Sequence, residues 1–292
     1  MQLLDAKFAD RKIRETAVRF LDRLNDFELN DYLLQLVQVL KYEPKHFSAL
    51  ACWLLRRALQ NRMLIGNAFF WHLQAEMHVP EISERYGLLL EMYLRGCGEQ
   101  RDELMRQLDL VKKLRLVANS IKDVPLNRRR AVLQQRLKEL PLPERYQLPL
   151  DPCRFASTLA IERCKSMDSA KAPLWLVFDN AEENGDQIWL IFKSGDDLRQ
   201  DLLTLQMLGI MDKLWKKEGL DLCLTPYRCV ATGDEMGMIE TVLHSETTAN
   251  IQKKAGGVTG AFKQTPLANW LIERNENSTR REKEKERITS CC

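Results

Sequence analysis

The sequence is poor in histidine, with four in 292 residues: His46, His72, His78 and His244. His72 and His78 stand six apart on a predicted helix, so they lie on different faces. No H-E-x-x-H or other histidine-rich metal pattern occurs, which argues against zinc hydrolase chemistry, and no residue is assigned as a metal ligand. Neither a G-x-S-x-G elbow nor a G-x-x-x-x-G-K-[ST] loop is present. No apolar run reaches the ~18 residues a bilayer span needs. The opening Met-Gln-Leu-Leu-Asp-Ala-Lys lacks the apolar core of a signal peptide, so secretory and integral-membrane readings are disfavoured. Charge of one sign is also lacking: Lys and Arg number 44 against 41 Asp and Glu, a net charge of +3. That balance gives no ground for a nucleic-acid partner. The eight cysteines (Cys52, Cys97, Cys153, Cys164, Cys223, Cys229, Cys291 and Cys292) include no C-x-x-C pair. Reduced thiols in a cytoplasmic protein are the expectation.

What is present reads as an ordinary globular chain, 45% hydrophobic and 29% charged, of a length that suggests two domains. Residues 8–97 follow a helical period. Ile13, Ala17, Phe20, Leu21 and Leu24 mark a first helix. A second, carrying Leu33, Leu36, Val37 and Leu40, can be capped by Asn30 or Asp31. Pro44 separates it from a third, Ser48 to about Gln60. A fourth contains Phe69, Phe70, Trp71, Leu73 and Met77, and stops at Val79-Pro80. The fifth carries Ile82, Tyr86, Leu89, Leu90 and Tyr93 and ends at Gly96 and Gly98. Short connections between such helices predict antiparallel pairs stacked as a HEAT-like solenoid, with an irregular helical domain as the plainer reading. Residues 101–140 continue as a more charged helix. The four prolines between Glu139 and Pro152 then break it, which places a linker or extended crossing segment there.

After Pro152 the texture becomes strand-like. Pro173–Phe178 and Ile188–Lys193 flank Asn184-Gly185, a tight-turn signal, and predict a hairpin. Asp197 and Gln200 have capping-box spacing ahead of a long amphipathic helix with Leu203, Met207, Ile210, Met211 and Leu214. Gly219 can end that helix. Tyr227–Ala231 and Met238–Leu243 are two further strand candidates. The fold class is therefore α+β: an α-helical solenoid, then a small antiparallel sheet around one long helix. That second part has the layout of a kinase small lobe. A lysine at the end of an inner strand serves there because nucleotide phosphates need a fixed cation. Lys193 is the candidate. It ends a run too apolar for a surface strand, though a snorkelling lysine would look the same.

The actual residues point further. Ile191-Phe-Lys-Ser-Gly-Asp-Asp-Leu-Arg-Gln-Asp201 resembles the lysine-strand signature of phosphoinositide 3-kinase catalytic subunits. So do Leu202-Leu-Thr-Leu-Gln-Met207, Trp215-Lys-Lys-Glu-Gly-Leu-Asp221 and Thr225-Pro-Tyr-Arg-Cys-Val-Ala-Thr-Gly-Asp234. In the helical half, Gln35-Leu-Val-Gln-Val-Leu-Lys-Tyr-Glu43, Phe69-Phe-Trp-His-Leu73 and Arg85-Tyr-Gly-Leu-Leu-Leu-Glu91 are similar too. Thr225-Pro-Tyr227 and Ser245-Glu-Thr-Thr-Ala-Asn-Ile-Gln252 look most like class I enzymes, which implies an SH2-containing regulatory subunit as a possible partner. The resemblance continues through Gly257–Lys263 and Leu267–Leu271, thins across 275–287, and ends near Ser290. Charged residues 280–287 read as a solvated helix face.

The resemblance implies an organisation and a site. Residues 1–100 would be a partial accessory helical domain and 101–152 a connecting segment. Residues 153–275 would form the kinase small lobe and 276–292 the start of a large lobe. Met167, Ser169, Lys171, Pro173 and Trp175 would belong to the phosphate-covering loop. Lys193 would contact ATP phosphates and Asp201 would help hold the site. Tyr227 would lie behind the adenine, and Ile191 and Ile239 would wall it. The carbonyl of Glu240 and the N–H of Val242 would bond its edge. The family's cofactors are ATP and Mg²⁺, and its other substrate is a phosphoinositide at a membrane surface, to which the full-length enzyme is recruited. No Asp-Arg-His and no Asp-Phe-Gly occurs in the 292 residues. The chain is therefore expected to have no catalytic residue of its own, to bind ATP weakly and to be inactive alone. Ras-binding, C2 and regulatory-subunit-binding regions would precede Met1. The alternative is a truncated, non-catalytic isoform acting as an interaction module.

Overall fold

A computed structural model describes residues 2–256 and 265–274. The expectations for 257–263, 275–287, the large-lobe start at 276–292 and Cys291–Cys292 lie outside the described residues, in whole or in part. The chain forms two compact units. One holds the residues up to Gln206 together with Tyr227–Thr241; the other holds Met207–Pro226 and the described residues after Thr241.

The first unit begins with helices α1 (Arg11–Leu21), α2 (Asp26–Val39), α3 (Ala49–Gln60), α4 (Asn67–Gln74) and α5 (Pro80–Gly96). Helix α1 packs on α3, α2 on α4 and α3 on α5, so each helix meets the one two places along, as in stacked hairpins. Local chemistry sets the ends. Asn25 caps α2 in a reciprocal capping box with Glu28, Ser48 caps α3, and Pro80 opens α5 at a first-turn position that needs no N–H. The start of α2 is thus five or six residues earlier than an Asn30 or Asp31 cap would put it. The face of α1 also differs from its apolar period: Phe20 is 54% and Ile13 38% exposed, while Arg14, Ala17, Val18 and Leu21 are buried. Arg14 turns inward because Glu43 is buried to meet it.

Two helices, α6 (Gln100–Lys122) and α7 (Leu126–Lys138), take the place of one continuous helix, since Pro125 breaks the run. The proline-rich stretch after them is extended, but the sheet already begins inside it. Strand β1 (Tyr146–Leu148) is fully buried, and Pro152 lies within β2 (Asp151–Leu159). The remaining strands are β3 (Lys165–Ser166), β4 (Leu174–Asn180), β5 (Ile188–Ser194), β6 (Cys229–Gly233) and β7 (Met236–Glu240). All pairs are antiparallel, in the order β1-β2-β4-β5-β7-β6, with β3 also on β4. β4 and β5 pair from Phe178 opposite Ile188, so their connection is a loop through 181–187 rather than a two-residue turn at Asn184-Gly185. Gly185 closes it by donating its N–H to the Glu182 carbonyl.

Helices and sheet share one core. The Trp71 indole donates to Gln107, and Gln107 and Gln100 both reach the Gln147 side-chain oxygen on β1, all four buried. Desolvated polar groups so linked hold α4, α6 and β1 in a fixed relation.

Helix α8 (Arg199–Lys217) follows β5. Asp197 does not form a capping box with Gln200. Its carboxylate accepts from the Arg199 backbone N–H and guanidinium instead. Gly219, with φ +80, ends the helix as expected. The helix's apolar positions Leu203, Met207, Met211 and Leu214 are exposed, while Leu205 and Asp212 are buried. In the second unit, α9 (Thr248–Gly256) packs on α10 (Thr265–Arg274). The six described cysteines are free thiols. Among the described residues no helix is long and apolar enough to cross a membrane.

Candidate functional site

Strand alternation builds the site. Ile188, Leu190, Phe192 and Ser194 of β5 are buried, which puts Trp189, Ile191 and Lys193 together on the opposite face. Ile191 lies directly opposite Trp175 of β4 on one side and Ile239 of β7 on the other; Ile239 in turn faces Cys229 of β6. Directly paired residues share a face, so Trp175, Ile191, Ile239 and Cys229 make a cross-strand row. Lys193 stands two residues along β5 from that row, paired with Gly237. An apolar strip with a cation at its end can take a flat, apolar ring carrying an anionic tail.

The Lys193 ammonium donates to Asp196 at 2.8 Å. Asp201, in the first turn of α8, is not its ion-pair partner, although both charges act on the Cys229 thiol. Burial pushes that thiol up to about 12, with Asp201 raising it and Lys193 lowering it. Sequence reasoning passed over Asp196, although its spacing of three from Lys193 was a legible signal.

The loop between β3 and β4 is closed by its own backbone. Met167 N–H donates to Pro173 O at 2.8 Å and Ala172 N–H to Ser169 O at 3.0 Å, with Ala172 held at φ +45. Pro173 is buried, Met167 half-buried, and Ser169 and Lys171 exposed. Lys171 reaches across to Gly195: a β-carbon at that glycine would lie 3.7 Å from the Lys171 Nζ.

At the other end of the strip, Glu240 closes β7. Its carboxylate accepts from Arg154 at 2.9 Å and from the Arg228 backbone N–H at 3.1 Å. Asp151 accepts from both guanidiniums, so four charges on β2, β7 and the entry to β6 neutralise one another. Arg154 and Asp151 pair locally, three residues apart, but nothing in the local sequence signals their reach to Glu240 and Arg228, 86 and 77 residues away. Tyr227 is exposed just ahead of β6. Val242 belongs to the second unit and is likewise exposed.

Two parts of the chain match known protein families. Residues 1–106 match the accessory domain (PIK domain) of the phosphoinositide 3-kinase family, and residues 187–289 match the phosphatidylinositol 3- and 4-kinase domain. The chain belongs to the phosphoinositide 3-kinase family. It is 50% identical over its full length to phosphatidylinositol 3-kinase 2 of Dictyostelium discoideum, and 52% identical over 95% of its length to phosphatidylinositol 3-kinase 1 of that organism. It is 44% identical over its full length to phosphatidylinositol 3-kinase 3. It spans only 16%, 18% and 17% of these relatives.

Within this family member the helices of the accessory-domain match also reach the residues of the kinase-domain match through Glu76, between α4 and α5. Its buried carboxylate takes Gln38 at 2.9 Å, Lys41 at 3.1 Å and Arg199 at 3.4 Å. Burial alone would raise its pKa. The Gln38 and Lys41 hydrogen bonds and the charges of Lys41 and Arg199 outweigh that and hold it below its usual 4.5. A depressed carboxylate stabilises the fold above its unfolded pKa and loses that contribution as pH falls through the folded value. Wild type is therefore expected to be more stable than Glu76→Gln at neutral pH. The gap should narrow once pH drops below the ordinary carboxylate range near 4.5. Urea unfolding of both proteins at neutral and acidic pH checks this, and a gap that stays constant contradicts it.

Proposed function

We propose that this chain forms the ATP-facing sheet and part of the accessory helices of an enzyme that phosphorylates the inositol 3-hydroxyl of a phosphoinositide. The observation that carries the reading is Lys193 at the end of the Trp175–Ile191–Ile239 row. On this reading adenine lies along the row, with Tyr227 behind it, and meets the backbone carbonyl of Glu240 and the N–H of Val242. Lys193 and Lys171 face the phosphates, Met167, Ser169 and Pro173 shape the loop over them, and Asp201 supports the site. The proposed organisation is 1–100 accessory, 101–152 connecting, 153–275 small lobe and 276–292 the large-lobe start. In the whole enzyme the lipid at a membrane surface and an SH2-containing subunit are the proposed partners.

The residues fit ATP in charge, since cationic side chains end an apolar strip. They assign no ligand to Mg²⁺: among the described residues no group of three or more His, Cys, Asp or Glu could hold a metal ion. Phosphoryl transfer needs a group that positions the nucleophile, and the 292 residues contain neither Asp-Arg-His nor Asp-Phe-Gly. The chain by itself is therefore expected to form no phosphorylated lipid. Incubating the pure chain with labelled ATP, Mg²⁺ and phosphatidylinositol vesicles tests this, and wortmannin-sensitive product above the blank overturns it.

A further inference from the structure

Lys122 is the last residue of α6, and its side chain ends beside the Lys193 loop. A β-carbon at Gly195 would lie 3.6 Å from the Lys122 Nζ and 3.7 Å from the Lys171 Nζ, so both ammonium groups face the same glycine. Two residues earlier stands Lys193. The approach is built rather than incidental. The Ser194 hydroxyl lies 3.4 Å from the Asn119 side-chain oxygen, which fixes the end of α6 against the end of β5.

A lysine in the last turn of a helix ordinarily serves the helix's own terminal carbonyls. That work is done here by another residue: Arg129 donates to the Lys122 carbonyl at 3.2 Å and to the Val124 carbonyl at 3.2 Å. The Lys122 ammonium is left for Gly195. The carboxylates nearby are already engaged, Asp196 with Lys193 and Asp197 with Arg199. Among the described residues neither Lys122 nor Lys171 has an ion-pair partner. Backbone donors cannot supply recognition at this loop, because the N–H groups of Gly195 and Asp196 both donate to the Glu235 carbonyl. Lys122 and Lys171, neither of them ion-paired, therefore bring two positive charges to one glycine. A polyphosphate chain, with closely spaced anionic oxygens, is the ligand chemistry that such spacing suits.

We propose that Lys122 is a phosphate-binding cation, contributed by the helical layer beside Lys171 at the loop that follows Lys193. The identity of the ligand as the phosphate chain of a nucleotide rests on the ATP reading above. The cation site itself rests on geometry alone.

The test uses the full 292-residue chain and three probes: inorganic tripolyphosphate, ATP and adenosine, each titrated to high millimolar concentration by NMR. Wild type is expected to bind all three. Lys122→Met should weaken tripolyphosphate and ATP about tenfold, the worth of one charge-assisted contact, and leave adenosine unchanged. Lys122→Arg should restore most of the loss. An intact adenosine titration shows that the methionine variant is folded; should it fail to fold, Lys122→Gln takes its place. Tripolyphosphate binding that ignores the Lys122 substitution, or is absent in wild type, overturns the proposal. Tripolyphosphate binding that depends on Lys122 while adenosine fails to bind keeps the cation site and overturns the adenine reading instead.

Discussion

Truncating Glu43 to alanine is expected to lower the unfolding free energy by about 3–5 kcal/mol, the range found when one partner of a buried ion pair is removed. Both side chains are almost wholly out of water, at 5% exposure for Arg14 and 4% for Glu43. The Arg14 guanidinium reaches the Glu43 carboxylate through Nε at 3.1 Å and Nη2 at 2.6 Å. Its Nη1 donates to the carbonyls of Asp5 and Phe8. Without the carboxylate those two carbonyls remain, and they cannot neutralise a charge that has lost its hydration. The pair joins α1 to the chain leaving α2, so the damage falls on the first stacked pair of helices. Paired removal should behave differently. Arg14→Met with Glu43→Leu deletes both charges and fills similar volume, and such replacements are often neutral. Urea unfolding of the wild type, the single variant and the double variant decides it. A loss below about 1 kcal/mol for Glu43→Ala would show that water reaches the guanidinium after all.

This pair also shows what could be read from the chain and what could not. Helical periodicity ranks positions by chemical type, so Ile13 and Phe20 looked inward and Arg14 outward. The real face is set by a partner 29 residues away. The same limit applies at the site. The apolar run of β5, its terminal lysine and the Gly-Asp-Asp that follows are local, and the lysine strand was legible from them. Lys122 lies 73 positions before Gly195, and only the packing of α6 on β5 brings the two together. Pro152 was read as a boundary, since prolines end helices, but a proline is tolerated early in a strand, and β2 runs through it. At α8, Asp197 and Gln200 had the spacing of a capping box. The arginine between them captured the aspartate in a bidentate pair, stronger than a lone cap bond.

Replacing Gly237 by alanine is expected to damage the site and the sheet together. The residue lies opposite Lys193 on β5 and opposite Ala231 on β6. A β-carbon there would sit 2.3 Å from the Val230 carbonyl oxygen and 2.5 Å from a methyl of Leu198. Leu198 is buried, and the Val230 oxygen belongs to the backbone of the neighbouring strand, so neither contact is relieved by turning an exposed side chain. Either β6 separates from β7 or the segment entering α8 shifts. Overpacking of this kind costs about 3 kcal/mol, more where backbone must move. Gly209 is the matched control, because a β-carbon there meets nothing within 4 Å. Alanine in that helical position should leave stability unchanged or raise it by up to about 1 kcal/mol. Thermal unfolding of both variants gives the first comparison. The second is tripolyphosphate binding well below the melting range. A shifted Val230 or Leu198 displaces the strand end that carries Lys193, so the folded Gly237→Ala protein should also bind the anion more weakly. If it melts with the wild type and binds as well, β7 has room at Gly237 and the sheet does not hold Lys193 as tightly as the packing indicates.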